Sequence, residues 1–550
     1  MEKYFTKRNI IIATVAGLLI VLFGWNDVIS LRAEEPRRAI VAMEMYLSGE
    51  YIAPHINGWP YYNKPPVFNW VLVFFMWVFD SFEEWVVRIP SIISFLLIGL
   101  ISYNINKQFF SKKIAFLSSL FFLTSADLLF FGSINAGEID IFFSLIVYIQ
   151  TIAIFYFYNK KKYFKMFIYS YILATVGTLI KGPPSIAFQA LTILGWLLYK
   201  KEYKLLFSIK HIISGIIFLV IVAGYFMVYN INQDGIGFAF RLFKEASMRT
   251  GLEHSFSDTV VGTLTFPLYL AKLLLPWSLF VIFWFKKGFW STIKKNQLLL
   301  FSAIFLITNI WIYWLTPDHK ARYLYMFFPY ITLLLAYFFV EQKEKSKTLS
   351  KVFHYVFLSA MILVSLGFVS TLFISELAII KAIYFKVILL LILSIVTIFI
   401  YLKVSKLRIY SFILFIVCCR LAINFFYLPM VRKYEYRDNY YEQKVAEMLT
   451  ITNNEPIYWY SKKPYNLKFN AAIGSFVIEK VSLKSARLIA YQTPYYITKG
   501  TNEVMQFHTT MENNRYYLTP TTEIDTNNFK IHYSFIDKFI ARTLVLVKKN

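Results

Sequence analysis

Long apolar runs recur along this 550-residue chain, and they limit what it can fold into more than any other feature. A helix that crosses a bilayer needs ~20 mostly apolar residues, with ~17 as a lower bound. Thirteen stretches come to about that length, near residues 9–25, 86–106, 113–131, 139–158, 163–180, 184–199, 211–230, 262–285, 297–315, 322–340, 352–374, 382–402 and 409–428. Composition agrees: 58% of residues are hydrophobic, 20% aromatic and only 16% charged, where soluble domains carry ~25% charged. Those values exclude a soluble enzyme, a disordered chain and a secreted disulfide scaffold. Cys418 and Cys419 are adjacent within an apolar run, so they provide neither a disulfide framework nor metal-type spacing. The expected fold is mainly α: a polytopic membrane protein of about 13 transmembrane helices.

The first run follows Lys3, Lys7 and Arg8, and no small-residue cleavage site follows Trp25, so it is expected to be an uncleaved anchor. Val67–Phe79 is too short to span comfortably and is bracketed by Pro65-Pro66 and Asp80–Glu84, which predicts a juxtamembrane helix. The net charge of +25 would suggest nucleic acid in a soluble protein, so the position of the charge decides its meaning. The connections 1–8, 107–113, 159–165, 200–210, 286–295, 341–351 and 403–408 together hold 25 Lys and Arg against four acids, or +21 of the total. Basic connections mark the cytoplasmic side, so the charge is a topology signal and no nucleic-acid partner is expected.

The intervening segments then face outward. They comprise a long loop over 26–85, a second over 231–261, and short ones around 132–138, 181–183 and 316–321. Residues 1–429 are expected to form the transmembrane domain and 430–550 a small soluble α/β domain on the outer side. Strand-like pieces in the latter run from Pro456 to Tyr460, Tyr495 to Thr498 and Thr543 to Val547.

Ionisable groups at membrane depth are candidates for function, and here they gather on the outer side. In the first loop, Glu34, Glu35 and Pro36 open a helix that Gly49 should close, with Arg37 in its first turn. Apolar residues recur along it at helical spacing, which predicts an amphipathic helix on the membrane surface. On spacing alone these charges equally describe the solvated end of such a helix. Lys64 sits between Tyr61-Tyr62-Asn63 and Pro65-Pro66, and taken alone reads as a snorkelling lysine in an aromatic belt. Glu138 and Asp140 open the run at 139–158, Asp127 lies in the preceding one, and Lys181-Gly182-Pro183-Pro184 breaks another. The second loop holds Lys244, Glu245, Arg249, Glu253, His254 and Asp258, and His319, Lys320, Arg322 and Tyr323 cluster between two spans. His254 alone is more simply a loop histidine. Positive groups converging on one leaflet nevertheless suit an anionic headgroup or a phosphate. There is no Walker-type or dinucleotide glycine motif, and no metalloprotease or serine-hydrolase pattern.

The order of motifs carries a resemblance. Glu34-Glu35-Pro36-Arg37-Arg38-Ala39, the segment Met45–Gly58, Tyr62-Asn63-Lys64-Pro65-Pro66 and Val87-Arg88-Ile89-Pro90 come first. Lys181-Gly182-Pro183, Leu275-Pro276-Trp277, Lys320-Ala321-Arg322-Tyr323 and Phe328-Pro329 follow in order. Over residues 10–335 this resembles the bacterial lipid-linked-sugar glycosyltransferases: the lipid A aminoarabinose transferase and the wider protein mannosyltransferase-like group. The resemblance implies the GT-C membrane fold, an outer-face active site in the bacterial inner membrane, and a polyprenyl-phosphate sugar donor. It implies Glu34 and Asp140 as the two catalytic carboxylates, and Arg37, Lys64, Arg249, Lys320 and Tyr323 as donor-phosphate contacts. Glu35, Glu138, Lys181 and His254 are further candidates. Where the aminoarabinose transferase has a Glu and a His resembling a zinc pair, this chain has Asn63 and Ala246. No metal ligand is therefore assigned, the cofactor requirement stays open, and so does the acceptor: lipid A, a glycan or a protein. The alternative is a polytopic transporter or flippase for a lipid-linked sugar, which would favour charges at the bilayer midplane and internal repeats. Neither is seen in the sequence.

Overall fold

The computed structural model describes residues 6–131, 134–231, 233–247, 256–316, 319–343, 345–434, 436–462, 467–470, 475–478, 489–525, 529–539 and 541–549. Among these residues, nine helices are long and apolar enough to cross a membrane, by length and composition. They are Glu84–Asn106, Ile139–Asn159, Tyr163–Lys181, Tyr203–Tyr229, Gln297–Trp314, Tyr325–Gln342, Lys347–Phe373, Ile383–Lys403 and Ser405–Tyr434. Each coincides with a predicted run, and the chain is an integral membrane protein.

The other four runs form shorter or divided helices. Lys7–Phe23 and Pro184–Tyr199 are single helices of 17 and 16 residues. Run 113–131 divides into Lys112–Leu123 and Ala126–Phe130, where the Thr124 and Ser125 hydroxyls donate to the Leu120 and Phe121 carbonyls. Such hydroxyl bonds compete with the backbone ladder. Run 262–285 divides at Pro276, which offers no amide, into the helix Phe256–Leu273 and the 3-10 stretch Trp277–Phe285. Val67–Phe79 is a helix of 13 residues, as its flanking prolines and acids predict.

The chain packs as two compact units that interleave in sequence: Met1–Ile29, Ile92–Asn135 and Val260–Glu435 form the first, and Ser30–Ser91, Ala136–Thr259 and Tyr436–Asn550 the second. The core of the first is strongly aromatic. Phe121 stacks on Trp277 with centroids 4.1 Å apart, and Phe280 on Phe339 at 4.2 Å. Two polar pairs lie within it, the Tyr325 hydroxyl donating to Asp127 Oδ2 at 2.7 Å and Arg420 to Asn135 Oδ1 at 2.7 Å.

The second unit holds the first-loop helix Glu35–Ser48 and the C-terminal segment. A five-stranded sheet runs in the order Phe507–His508, Ile457–Tyr460, Tyr516–Pro520, Arg542–Lys548, Ile531–Asp537, with the first three strands parallel and the rest antiparallel. Two of the three expected strand pieces fall on this sheet. The third, Tyr495–Thr498, is instead inside the helix Gln492–Thr501. Its aromatic and β-branched residues suit a strand, but Pro494 lies in the first turn, Asn502 ends the helix at φ 55°, and the helix buries every residue from Gln492 to Thr498. Burial against the rest of the unit overrides local propensity here.

Candidate active site

The site is built on the first-loop helix. Pro36 pre-sets its first turn and Gly49 closes it at φ 76°, donating its amide to the Met45 carbonyl, as the sequence punctuation predicts. The helix is more enclosed than a membrane-surface helix would be. Ala39 to Met43 have no exposed surface, and Glu35, Arg38 and Glu44 are buried as well. The reason is that the C-terminal helix Gln492–Thr501 packs over it. Two contacts hold that cover in place: the Tyr495 hydroxyl donates to the Phe82 carbonyl at 2.7 Å, and Lys499 Nζ lies 2.6 Å from Glu83 and 3.1 Å from Glu84.

The two acids at the helix start have opposite surroundings. Glu34 is partly exposed, its side chain 31% accessible, and is ion-paired to Arg37, whose guanidinium also lies over the Tyr491 ring. Glu35 is 1% exposed and bound by Arg88, with Nε to Oε1 at 2.9 Å and the second guanidinium nitrogen to Oε2 at 3.1 Å. A partly exposed carboxylate paired with Arg37 and a fully buried one clamped by Arg88 have different uses. Their neighbouring places in the sequence do not tell them apart.

Asp140 lies in the first turn of Ile139–Asn159 and is buried in an ion pair with Lys181. Lys181 ends its helix because Gly182 adopts φ 89°, and Pro183-Pro184 starts the next one. This Lys-Gly-Pro-Pro break therefore aims a lysine at the second carboxylate. Glu138 precedes that helix, partly exposed, with its carbonyl accepting from Ser91 Oγ at 3.1 Å. Lys64 is buried rather than snorkelling, its ammonium donating to the Asn63 carbonyl at 3.1 Å.

Two buried residues that the sequence reading did not single out join this group. Arg38 donates to the Tyr61 hydroxyl at 3.0 Å. Burial lowers its pKa, while Tyr61, Asp140 and Glu138 act in the opposite direction, which puts its charge within reach of both acids. Glu44 accepts the backbone amides of Asn57 and Gly58 and so ties the helix to the loop after it. Burial pushes the Glu44 carboxyl up to about 8. Glu44 is an ionisable residue set between Met43 and Met45 in an apolar stretch, and that is the one signal the sequence offers; Arg38, next to Arg37, offers none.

In the same unit, an apolar cavity of about 890 Å³ opens between Ile209–Tyr229 and Gly235–Ser247, lined by Phe226, Met227, Ile236, Phe240 and Phe243 among others. Lys320 and Tyr323 belong to the first unit, in a 3-10 turn where Tyr323 packs on Tyr313 at 5.5 Å and Lys320 is exposed. Arg249 and His254 lie outside the described residues. Among the described residues, no three His, Cys, Asp or Glu group to hold a metal ion. Neither Asn63 nor Ala246 carries a carboxylate or an imidazole, so neither is assigned as a zinc ligand.

Known proteins match this chain in sequence and in fold. A family model described as dolichyl-phosphate-mannose-protein mannosyltransferase matches residues 63–227. The chain is 23% identical to an uncharacterized protein of Aquifex aeolicus (strain VF5) over 356 residues, 63% of this chain and 67% of that one. It is 29% identical over 120 residues to undecaprenyl phosphate-alpha-4-amino-4-deoxy-L-arabinose arabinosyl transferase 2 of Proteus mirabilis (strain HI4320), 22% of each chain. The matched region thus spans two thirds of the first relative and under a quarter of the second. In fold, the crystal structure of ArnT from Cupriavidus metallidurans bound to undecaprenyl phosphate superposes with a TM-score of 0.68 at 15% identity, covering 98% of both chains. The resemblance read from the motifs is borne out, the fold is of the GT-C type, and the transporter alternative gains no support from these matches.

Proposed function

We propose that this chain, a GT-C membrane protein similar to the aminoarabinose transferases and protein mannosyltransferases, is a glycosyltransferase that uses a polyprenyl-phosphate sugar donor. The acceptor would be a lipid A-like molecule, a glycan or a protein on the periplasmic face of the bacterial inner membrane. In this reading residues 1–429 are the catalytic membrane domain and 430–550 an outer-face domain. One observation carries the proposal: one compact unit holds a partly exposed carboxylate paired with Arg37, a buried one paired with Lys181, and an apolar cavity. That combination suits a substrate with an isoprenoid tail, an anionic phosphate and a sugar to be passed on.

The chemistry follows from the charges. Phosphate is a good leaving group, so breaking the sugar–phosphate bond needs charge stabilisation more than a proton. Lys64 and Arg37 supply it in the described part of the site, with Arg249 as a further candidate. A donor phosphate arriving at Arg37 competes with Glu34 for that guanidinium. Glu34 is then free to orient or deprotonate the acceptor nucleophile. Asp140 is neutralised by Lys181, which suits it to orienting the sugar or balancing its developing positive charge. The isoprenoid chain would occupy the cavity beside Phe226 and Phe240.

The test is purified full-length protein in nanodiscs, given a panel of labelled undecaprenyl-phosphate sugars that includes aminoarabinose, with envelope lipids as acceptor. Release of undecaprenyl phosphate and labelled acceptor is expected, and Glu34→Gln should lower turnover by ~10²–10⁴. Transport of intact donor across vesicles without release would overturn the proposal.

A further inference from the structure

We propose that Glu35 and Arg88 are positioning residues whose buried pair fixes the Glu34 segment against the Asp140 segment. The idea rests on the function proposed above, and deepens it by naming what sets the geometry of its two carboxylates.

Glu34 and Asp140 come from distant parts of the sequence and from different helices. Glu35 touches both segments. Its Oε1 accepts Arg88 Nε at 2.9 Å and the Gly137 amide at 2.7 Å, and its Oε2 accepts Arg88 at 3.1 Å and the Arg32 amide at 3.1 Å. A carboxylate offers about four acceptor positions, so Glu35 is saturated. It has no place left for a substrate proton. Arg88 extends the clamp by donating to the Ser30 carbonyl at 3.1 Å. Residues 30–35 are thereby held on one side and Gly137, directly before Glu138, on the other.

A second observation points the same way without involving charge. A Cβ added at Gly137 would lie 2.5 Å from Val87 Cγ1 and 3.1 Å from the Val87 carbonyl oxygen. Val87 is the neighbour of Arg88, and Ser91, one turn on, donates to the Glu138 carbonyl. The start of the Asp140 helix is therefore held on the first turns of Glu84–Asn106 by backbone contact at Val87, by Ser91, and through Glu35 by Arg88. An apolar pair of similar volume would fill the space about as well, but would not fix direction. The two-pronged guanidinium–carboxylate geometry does.

Two readouts on the full-length protein in nanodiscs test the clamp. The first is hydrogen–deuterium exchange, which needs no substrate. In Arg88→Lys and Glu35→Gln, peptides covering 30–35 and 134–140 should exchange faster while those from Ile383–Lys403 stay unchanged. The second is turnover of the undecaprenyl-phosphate sugar that the wild type accepts. Gly137→Ala, which leaves every charge in place, should lower kcat by ~10²-fold with KM for the donor little changed. Arg88→Lys should retain more kcat than Arg88→Met. Unaltered exchange at 134–140 in both charge variants, or wild-type kcat in Gly137→Ala, would overturn the clamp. If the wild type turns over no donor, the proposed function fails, and the exchange result still decides the clamp.

Discussion

At the scale of single residues, the site shows how little a charge means until its partner is known. Asp140 and Lys181 are both buried, and removing one leaves the other's charge in a low-dielectric surrounding. Lys181→Met is expected to destabilise the protein by about 3–5 kcal/mol, and the double variant with Asp140→Asn by clearly less. Thermal unfolding in detergent measures both, and additive losses would refute the pairing. Glu44 makes a pH prediction. Its carboxyl ordinarily ionises near 4.5 and in the fold near 8. Between these values the folded state keeps a proton that the unfolded chain has released, so stability falls as pH rises from about 4.5 to about 8. Glu44→Gln should flatten that slope in melting curves recorded across the range. The sequence exposed the acids of Glu34-Glu35 as a pair. Only the contacts separate them, because Glu35 meets Arg88 and Gly137 through the tertiary fold while Glu34 meets Arg37 one helical turn away.

At the scale of elements, the legible features were those with strong local causes. Gly49 and Pro36 bound the first-loop helix, and Lys181-Gly182-Pro183-Pro184 breaks an apolar run, because glycine and proline act on their own backbone. Gly182 sits at φ 89° and ψ −151°, a region closed to residues with a Cβ. Gly182→Ala is expected to swing Lys181 away from Asp140 and reduce turnover at least tenfold, to a degree similar to Lys181→Met. Turnover like the wild type's would show that the break serves only chain direction. Tyr495–Thr498 has the β character of its Tyr, Ile and Thr residues and yet is helical, because its burial is decided by what it covers. For the same reason, the first-loop helix looked like a surface helix. Its cover comes from residues some 450 positions later in the chain, by the numbering of Lys499 and Tyr495.

At the scale of the whole molecule, the charge distribution predicts topology. A reporter enzyme that works only outside the cytoplasm should be active when fused after Lys549 and inactive when inserted in 403–408. The reverse pattern would invert the assignment of faces. Lys499, which joins the C-terminal segment to Glu83 and Glu84, should matter for that segment's retention. Lys499→Glu places like charges together and should speed proteolysis within 436–550, read by fragment pattern. The sequence by itself determined that the chain is a bundle of membrane helices, and where along it the basic connections and the other polar residues concentrate. It could do so because hydrophobic length, charge bias and the backbone limits of proline and glycine act locally and leave a periodic trace. The tertiary structure alone decided that Glu35 is sequestered while Glu34 stays partly exposed, that Asp140 pairs with Lys181, and that Arg38, Glu44 and Arg88 are buried with their polar partners. Those outcomes depend on contacts between segments far apart in the chain, and such contacts have no signature in the spacing of residues along it.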